Sequence, residues 1–119
     1  MHYFTLREVC ENTGVSRRAI QGYEKKNLVS ASKRNERGYL LYDEEALGKI
    51  RTIRLFQQLG FPLNEIYEMK EDSKAAIKEK LENRIVSLEN EKDKIDQLVE
   101  QARRLIEHLD DNEEEEKSK

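Results

Sequence analysis

Seven cations, Arg17, Arg18, Lys25, Lys26, Lys33, Arg34 and Arg37, fall within residues 16–42, opposed there only by Glu24 and Glu36. Guanidinium and ammonium groups at that density can neutralise a row of phosphates and release their counterions, and arginine can also grip a guanine edge through paired donors. The formal net charge of −3 hides this, because the charge is unevenly divided. Residues 1–60 hold 11 Lys/Arg against 7 Asp/Glu, and residues 61–119 hold 11 against 18. A polyanion meets the local field of the basic front rather than the sum. A run of charge is ordinarily a solvated surface, so a binding face requires elements that segregate these cations from a core. Other chemistries are poorly supplied: Cys10 has no second cysteine or neighbouring histidine to complete a metal site and reads as a small core residue. No glycine-rich phosphate loop and no nucleophile with a base is present, so neither an enzyme nor a cofactor is expected.

The positioning elements begin at Thr5-Leu6-Arg7-Glu8, where a threonine three residues before a glutamate can satisfy free amides reciprocally at a helix start. Leu6, Val9 and Cys10 follow on one face, predicting a helix to about Asn12 that stops at Thr13-Gly14. Ser16 is placed to cap a second helix after a very short turn, and two short helices joined so tightly are a helix-turn-helix signature. On the second helix Ser16, Ala19, Ile20, Tyr23 and Asn27 lie within about 100° of arc, while Arg18, Gln21, Gly22 and Lys25 lie on the far side. The first group can pack; the second, with Arg17 at its flank, can face DNA.

Residues 30–37 are polar and basic, and Gly38 then leads into the strand-like Tyr39-Leu40-Leu41-Tyr42, predicting a hairpin with a basic tip. Such a wing brings Lys33, Arg34 and Arg37 to a phosphate backbone, adding affinity with little sequence information. Asp43 caps a third helix whose Ala46, Leu47, Ile50, Ile53, Phe56 and Leu59 close the core and which Gly60 ends. Pro62 suits the first turn of a fourth helix, Leu63 to about Lys70, carrying Ile66, Tyr67 and Met69.

Thr5-Leu6-Arg7-Glu8, Thr13-Gly14-Val15-Ser16, Arg18, Tyr23-Glu24, Asn27-Leu28-Val29, Gly38-Tyr39, Leu41-Tyr42, Leu59-Gly60-Phe61 and Glu65-Ile66 stand in the order and separations of the MerR family of bacterial transcription regulators. The resemblance covers residues 3–71. It implies a homodimer on a pseudo-palindromic operator in double-stranded DNA, often between promoter elements, where distorting the DNA restores alignment for RNA polymerase. Four positions depart from the family pattern: Gln21 and Gly22, where Gln21-Gly22-Tyr23 stands in place of Arg-Tyr-Tyr, Leu40 in place of arginine, and Pro62 in place of a hydroxyl cap. The residues expected to meet DNA are Ser16, Arg17, Arg18, Gln21, Tyr23, Lys25, Lys33, Arg34, Arg37 and Tyr39.

From Ser73 the chain becomes charge-rich and nearly free of helix breakers, with a heptad seam at Lys78, Leu81, Ile85, Leu88, Lys92, Ile95, Val99, Ala102, Ile106 and Leu109. Eight of these ten positions are apolar, and a helix over residues 73–109 is a rod of roughly 55 Å, too long to fold back on so small a domain. A partner helix is expected to cover the seam, antiparallel if the resemblance holds. The expected organisation is therefore mainly α: a winged helix-turn-helix over 1–71, a dimerisation helix over 72–109, and a disordered acidic tail over 110–119. No apolar run suits a membrane and the start does not resemble a signal peptide, so a cytoplasmic protein is expected. A DNA-architectural winged protein of excisionase type and a pure coiled-coil interaction protein are the alternatives that these residues leave open.

Overall fold

Thr5 Oγ1 accepts from the Glu8 amide at 3.2 Å, and Glu8 Oε1 accepts from the Thr5 amide at 3.0 Å. Two donors that a helix start leaves unpaired are thereby satisfied. This opens α1 (Leu6–Thr13), which Gly14 ends in the left-handed conformation at φ 72°, its amide reaching the Cys10 carbonyl oxygen at 2.9 Å. Ser16 then caps α2 (Arg17–Lys25) by accepting from the Ala19 amide at 3.1 Å. Between the two helices Val15 is buried, pinning the turn to the core.

The chain divides into two units, Met1–Ser73 and Lys74–Lys119, within which the computed structural model describes residues 2–117, with side chains to residue 112. The boundary falls two residues beyond the expected one.

The first unit holds a small antiparallel sheet of β1 (Phe4–Thr5), β2 (Lys33–Arg34) and β3 (Leu40–Tyr42) in the order β1-β3-β2. Phe4 pairs with Tyr42 and Thr5 with Leu41 on one side of β3; Lys33 pairs with Leu41 and Arg34 with Leu40 on the other. The hairpin is narrower than its sequence predicts: Lys33 and Arg34 form the strand itself, and Arg37 lies in the connecting turn. The third strand, β1, carries no pattern of its own, being two residues directly before a helix. Thr5 therefore has two duties, pairing with the wing and capping α1.

α3 (Glu44–Leu59) starts on Asp43, whose carboxylate accepts from the Ala46 amide at 2.8 Å, and ends at Gly60 with φ 109°. α4 (Leu63–Met69) follows, with Pro62 just outside as the N-cap residue rather than in the first turn. Val9, Ile20, Tyr23, Tyr42 and Ile50 are fully buried at the centre of this unit, where α1 packs on α2, α3 and β3. Ile66, Met69 and Phe61 close it from the side of α4, while Tyr67 remains exposed with the Lys70 ammonium 4.9 Å from its ring centre. Asn27, expected on the packed face of the second helix, lies beyond the end of α2. It is exposed and adopts φ 57°, a conformation that asparagine tolerates better than most residues and that turns the chain toward the buried Leu28 and Val29.

Two hydroxyls lock α2 to the rest of the unit. Tyr23 donates to Gln57 Oε1 at 2.6 Å, joining α2 to α3, and Tyr42 donates to the Glu24 carboxylate, joining β3 to α2. Burial pushes both phenols up from their ordinary pKa, reinforced at Tyr42 by the adjacent Glu24, so both remain donors across the working pH range.

The second unit is α5 (Lys74–Lys117). Its exposed charges pair along the helix, Lys78 with Glu82 at 3.8 Å and Arg104 with Glu100 at 3.4 Å, contacts that add little stability individually. The helix does not stop at Leu109: residues 110–117, expected to be disordered, continue it. Glutamate is a good helix former and no glycine or proline intervenes, so acidity alone does not end the helix. Ser118 and Lys119 of that expected tail lie outside the described residues.

Removing the Tyr42 hydroxyl leaves the half-buried Glu24 carboxylate without its donor, so Tyr42→Phe should cost about 1–3 kcal/mol in chemical denaturation. An unchanged midpoint would show that the bond contributes nothing. The Asp43 carboxyl is held below its ordinary value of 3.8, chiefly by the Ala46 amide. A depressed carboxyl stabilises the fold fully above its unfolded pKa and progressively less as pH falls through the folded value. Asp43→Asn keeps a cap acceptor but cannot titrate, so the fall of Tm below about pH 4 should be shallower than in the native chain; identical acid limbs would refute this.

Candidate nucleic-acid interface

The periodicity of α2 is resolved into two surfaces. Ile20 and Tyr23 are buried, whereas Arg17, Arg18, Gln21 and Lys25 are exposed. Among the described residues, no ion pair engages Arg17, Arg18, Lys25 or Arg37. Their charge is not spent on neighbouring carboxylates, so it remains available to an external anion. Glu24, the acid among these cations in sequence, accepts a hydrogen bond from the Tyr42 hydroxyl.

Tyr23 is the exception among the residues expected to meet DNA. It is 1% exposed and its hydroxyl is held by Gln57, so it supports α2 from behind and presents nothing outward. Its place on the helix wheel predicts this burial; only the match to the family pattern sets it among the DNA-facing residues. Ser16 is exposed, with its Oγ engaged by the Ala19 amide; an accepting hydroxyl keeps its own proton for one further donation.

The wing is organised by Asn35, an uncharged residue that a search for cations does not find. Its Oδ1 accepts from the Arg37 and Tyr39 amides, each at 3.0 Å, while its own amide donates to the Tyr39 carbonyl oxygen at 2.9 Å. Gly38, at φ 83°, closes the turn by donating to the Asn35 carbonyl oxygen at 2.9 Å. Asparagine three residues before a positive-φ glycine is a turn signal with this mechanism, so its role is legible in the sequence. Arg34 donates through Nη1 to the Gly38 carbonyl oxygen at 2.8 Å, leaving other guanidinium donors for a ligand. The Lys33 ammonium lies 4.0 Å from the ring centre of Tyr3, a second residue without an obvious sequence signal, so the N-terminal segment steadies one wing cation. Arg37 and Tyr39 are exposed, Tyr39 at 63%.

Lys26 and Lys70 are employed differently. Lys26 Nζ donates to Asn64 Oδ1 at 2.8 Å and Lys70 Nζ to the Asn27 carbonyl oxygen at 2.7 Å, tying the end of α2 to α4. Among the described residues no group of three His, Cys, Asp or Glu side chains is placed to hold a metal ion, and no helix is long and apolar enough to cross a membrane.

Along α5 the apolar seam is open. Ile85, Ile95, Val99, Ile106 and Leu109 are 45–59% exposed, and Leu98 and Leu105 beside them are similarly bare. Leu81 and Leu88 are half-buried, and Lys92 interrupts the seam near its middle.

Comparison with known proteins matches this arrangement. The mercuric resistance operon regulatory protein of Bacillus cereus is 35% identical over 63 residues, 53% of this chain and 48% of its own length. The HTH-type transcriptional activator mta of Bacillus subtilis is 28% identical over 110 residues, 92% of this chain and 43% of that protein. The crystal structure of MtaN, the N-terminus of the B. subtilis multidrug transporter activator, superposes with a TM-score of 0.65 at 28% identity, covering 87% of this chain and 97% of that one. The chain thus spans from about a quarter to about a half of the length of these and other curated relatives it matches. The sequence profile of the MerR helix-turn-helix regulatory proteins matches residues 4–73, the segment that contains α1, α2, the wing, α3 and α4. This chain belongs to the MerR family.

Proposed function

We propose that this chain is a sequence-specific DNA-binding transcription regulator that works as a homodimer in the cytoplasm. The observation that carries the reading is the two-sidedness of α2. Ile20 and Tyr23 fix it to the core, Gln21 is exposed, and Arg17, Arg18 and Lys25 enter no ion pair among the described residues. A helix so mounted can lie in a major groove, where Gln21 and the arginines reach base edges. Lys33, Arg34, Arg37 and Tyr39 then meet the sugar-phosphate backbone beside it, fixing register and contributing affinity.

The seam of α5 supplies the second head. A helix of this length presenting isoleucine, leucine and valine at heptad spacing hides them by pairing with its copy, and two linked heads fit a pseudo-palindromic operator. Family membership supports an operator within a promoter, making RNA polymerase the further partner on distorted DNA. The division of the chain into a DNA-reading unit and a pairing helix follows the two structural units.

Arg18→Ala should weaken binding without affecting the fold, since its exposed side chain supports no core atom. If Arg18 neutralises a phosphate, the slope of log affinity against log salt shrinks by about 0.9 for each phosphate left without its cation. If it reads a base, the decrease depends on operator sequence at about 1–3 kcal/mol per base pair read. Unchanged affinity and slope in a gel-shift titration would remove α2 from the interface. Leu88→Asp with Ile95→Asp should convert the dimer to a monomer in sedimentation and reduce operator affinity at least about a hundredfold, because linkage of two sites contributes roughly 10²–10⁴. A double variant that stays dimeric, or a monomer that binds as tightly as the native chain, refutes the role given to α5.

A further inference from the structure

α2 contains a glycine that its own fold does not require. Gly22 sits inside the helix, its φ is not among the positive values of the chain, and a Cβ added to it would meet nothing within 4 Å. No tight turn, backbone crossing or packed neighbour within the unit calls for it, and glycine weakens a helix interior relative to alanine.

Absence of an internal need does not by itself assign a role, but the position of Gly22 around the helix does. Arg18 lies one turn before it and Lys25 one turn after it, both exposed and within about 60° of it around the axis. Ile20, on the opposite side, is buried. Along the axis Gly22 is therefore the gap between Arg18 and Lys25, at the margin of the cationic face. A side chain there would stand between the helix backbone and whatever the flanking cations grip; without one, the backbone itself can descend.

We infer that Gly22 is the point of closest approach between α2 and DNA: its bare Cα lies in van der Waals contact with base edges in the major groove while Arg18 and Lys25 reach outward on either side along the axis. The inference rests on the reading of α2 as the groove-facing helix and goes beyond it. The notch sets how deeply the helix seats, and hence which base edges Gln21 and Arg18 can reach. Gly22 selects sequence by depth rather than by a hydrogen bond of its own.

Gly48 provides an internal control. It too lies within a helix, α3, with nothing within 4 Å of an added Cβ, but Glu44 and Glu45 stand one turn before it, so its surroundings are not the cationic face. Alanine at Gly48 reports the gain in helix propensity alone.

The test uses the full chain and a duplex that the native protein selects from a random-sequence pool. Gly22→Ala, Gly22→Leu and Gly48→Ala all introduce better helix formers, and each should raise Tm by roughly 2–8 °C. Operator affinity should fall about tenfold or more in Gly22→Ala and further in Gly22→Leu, with the salt slope unchanged because no charge is removed. Gly48→Ala should bind like the native chain. A variant that is more stable yet binds less tightly is not explained by damage to the fold. Gly22→Ala and Gly22→Leu binding within about threefold of native would overturn the inference. If Arg18→Ala then still weakens binding to the same duplex, only the close approach is refuted. If Arg18→Ala also has no effect, or the native chain selects no duplex, the reading of α2 falls with it.

Discussion

The donation from the Tyr42 hydroxyl to the Glu24 carboxylate is the constraint on which the binding face depends. It joins β3, the strand shared by the whole sheet, to α2, the helix that carries the outward cations. α2 is only Arg17–Lys25, too short to hold its shape by backbone bonding alone, so its direction must come from what it is fastened to. Tyr42 fastens it to the wing and Tyr23, through Gln57, to α3. The same bond occupies the Glu24 carboxylate, which enters no ion pair among the described residues. Burial keeps both phenols protonated, so neither fastening depends on pH within the neutral range.

Positive charge in the first unit is divided between two kinds of work. Lys26 and Lys70 hold the end of α2 against α4, and Lys33 rests over Tyr3. These cations contribute to the field from fixed positions. Arg17, Arg18, Lys25 and Arg37 enter no ion pair among the described residues and are left to reach a ligand. In the second unit the acid excess and intrahelical pairs give α5 little attraction for a polyanion.

Much of this architecture is legible in sequence because it is encoded locally. The Thr5–Glu8 capping box, Gly14, Ser16, Asp43 and Gly60 each mark a helix end through an interaction spanning only a few residues, and the structure shows each in use. The two faces of α2 follow from helical spacing, as does the heptad seam of α5. β1 is not legible: Phe4-Thr5 becomes a strand only because β3 offers it an edge, and a pairing between residues nearly forty positions apart leaves no periodic trace in so short a segment. Asn27 is misplaced by periodicity because the helix pattern runs through it, whereas the chain turns there at positive φ.

The sequence by itself determined where most helices start, where the cations gather and which apolar positions of α5 share one face, since these depend on capping, spacing and composition within one segment. Only the tertiary structure decided that Tyr23 is a buried support of α2, that the Glu24 carboxylate is engaged by Tyr42, and that Lys26 is tethered to Asn64 while Lys25 is not. The physical reason is that availability of a polar group is a property of its partners. A hydroxyl, carboxylate or ammonium is committed or free according to which distant side chain lies within hydrogen-bonding reach, and that is settled when α2, β3, α3 and α4 pack together.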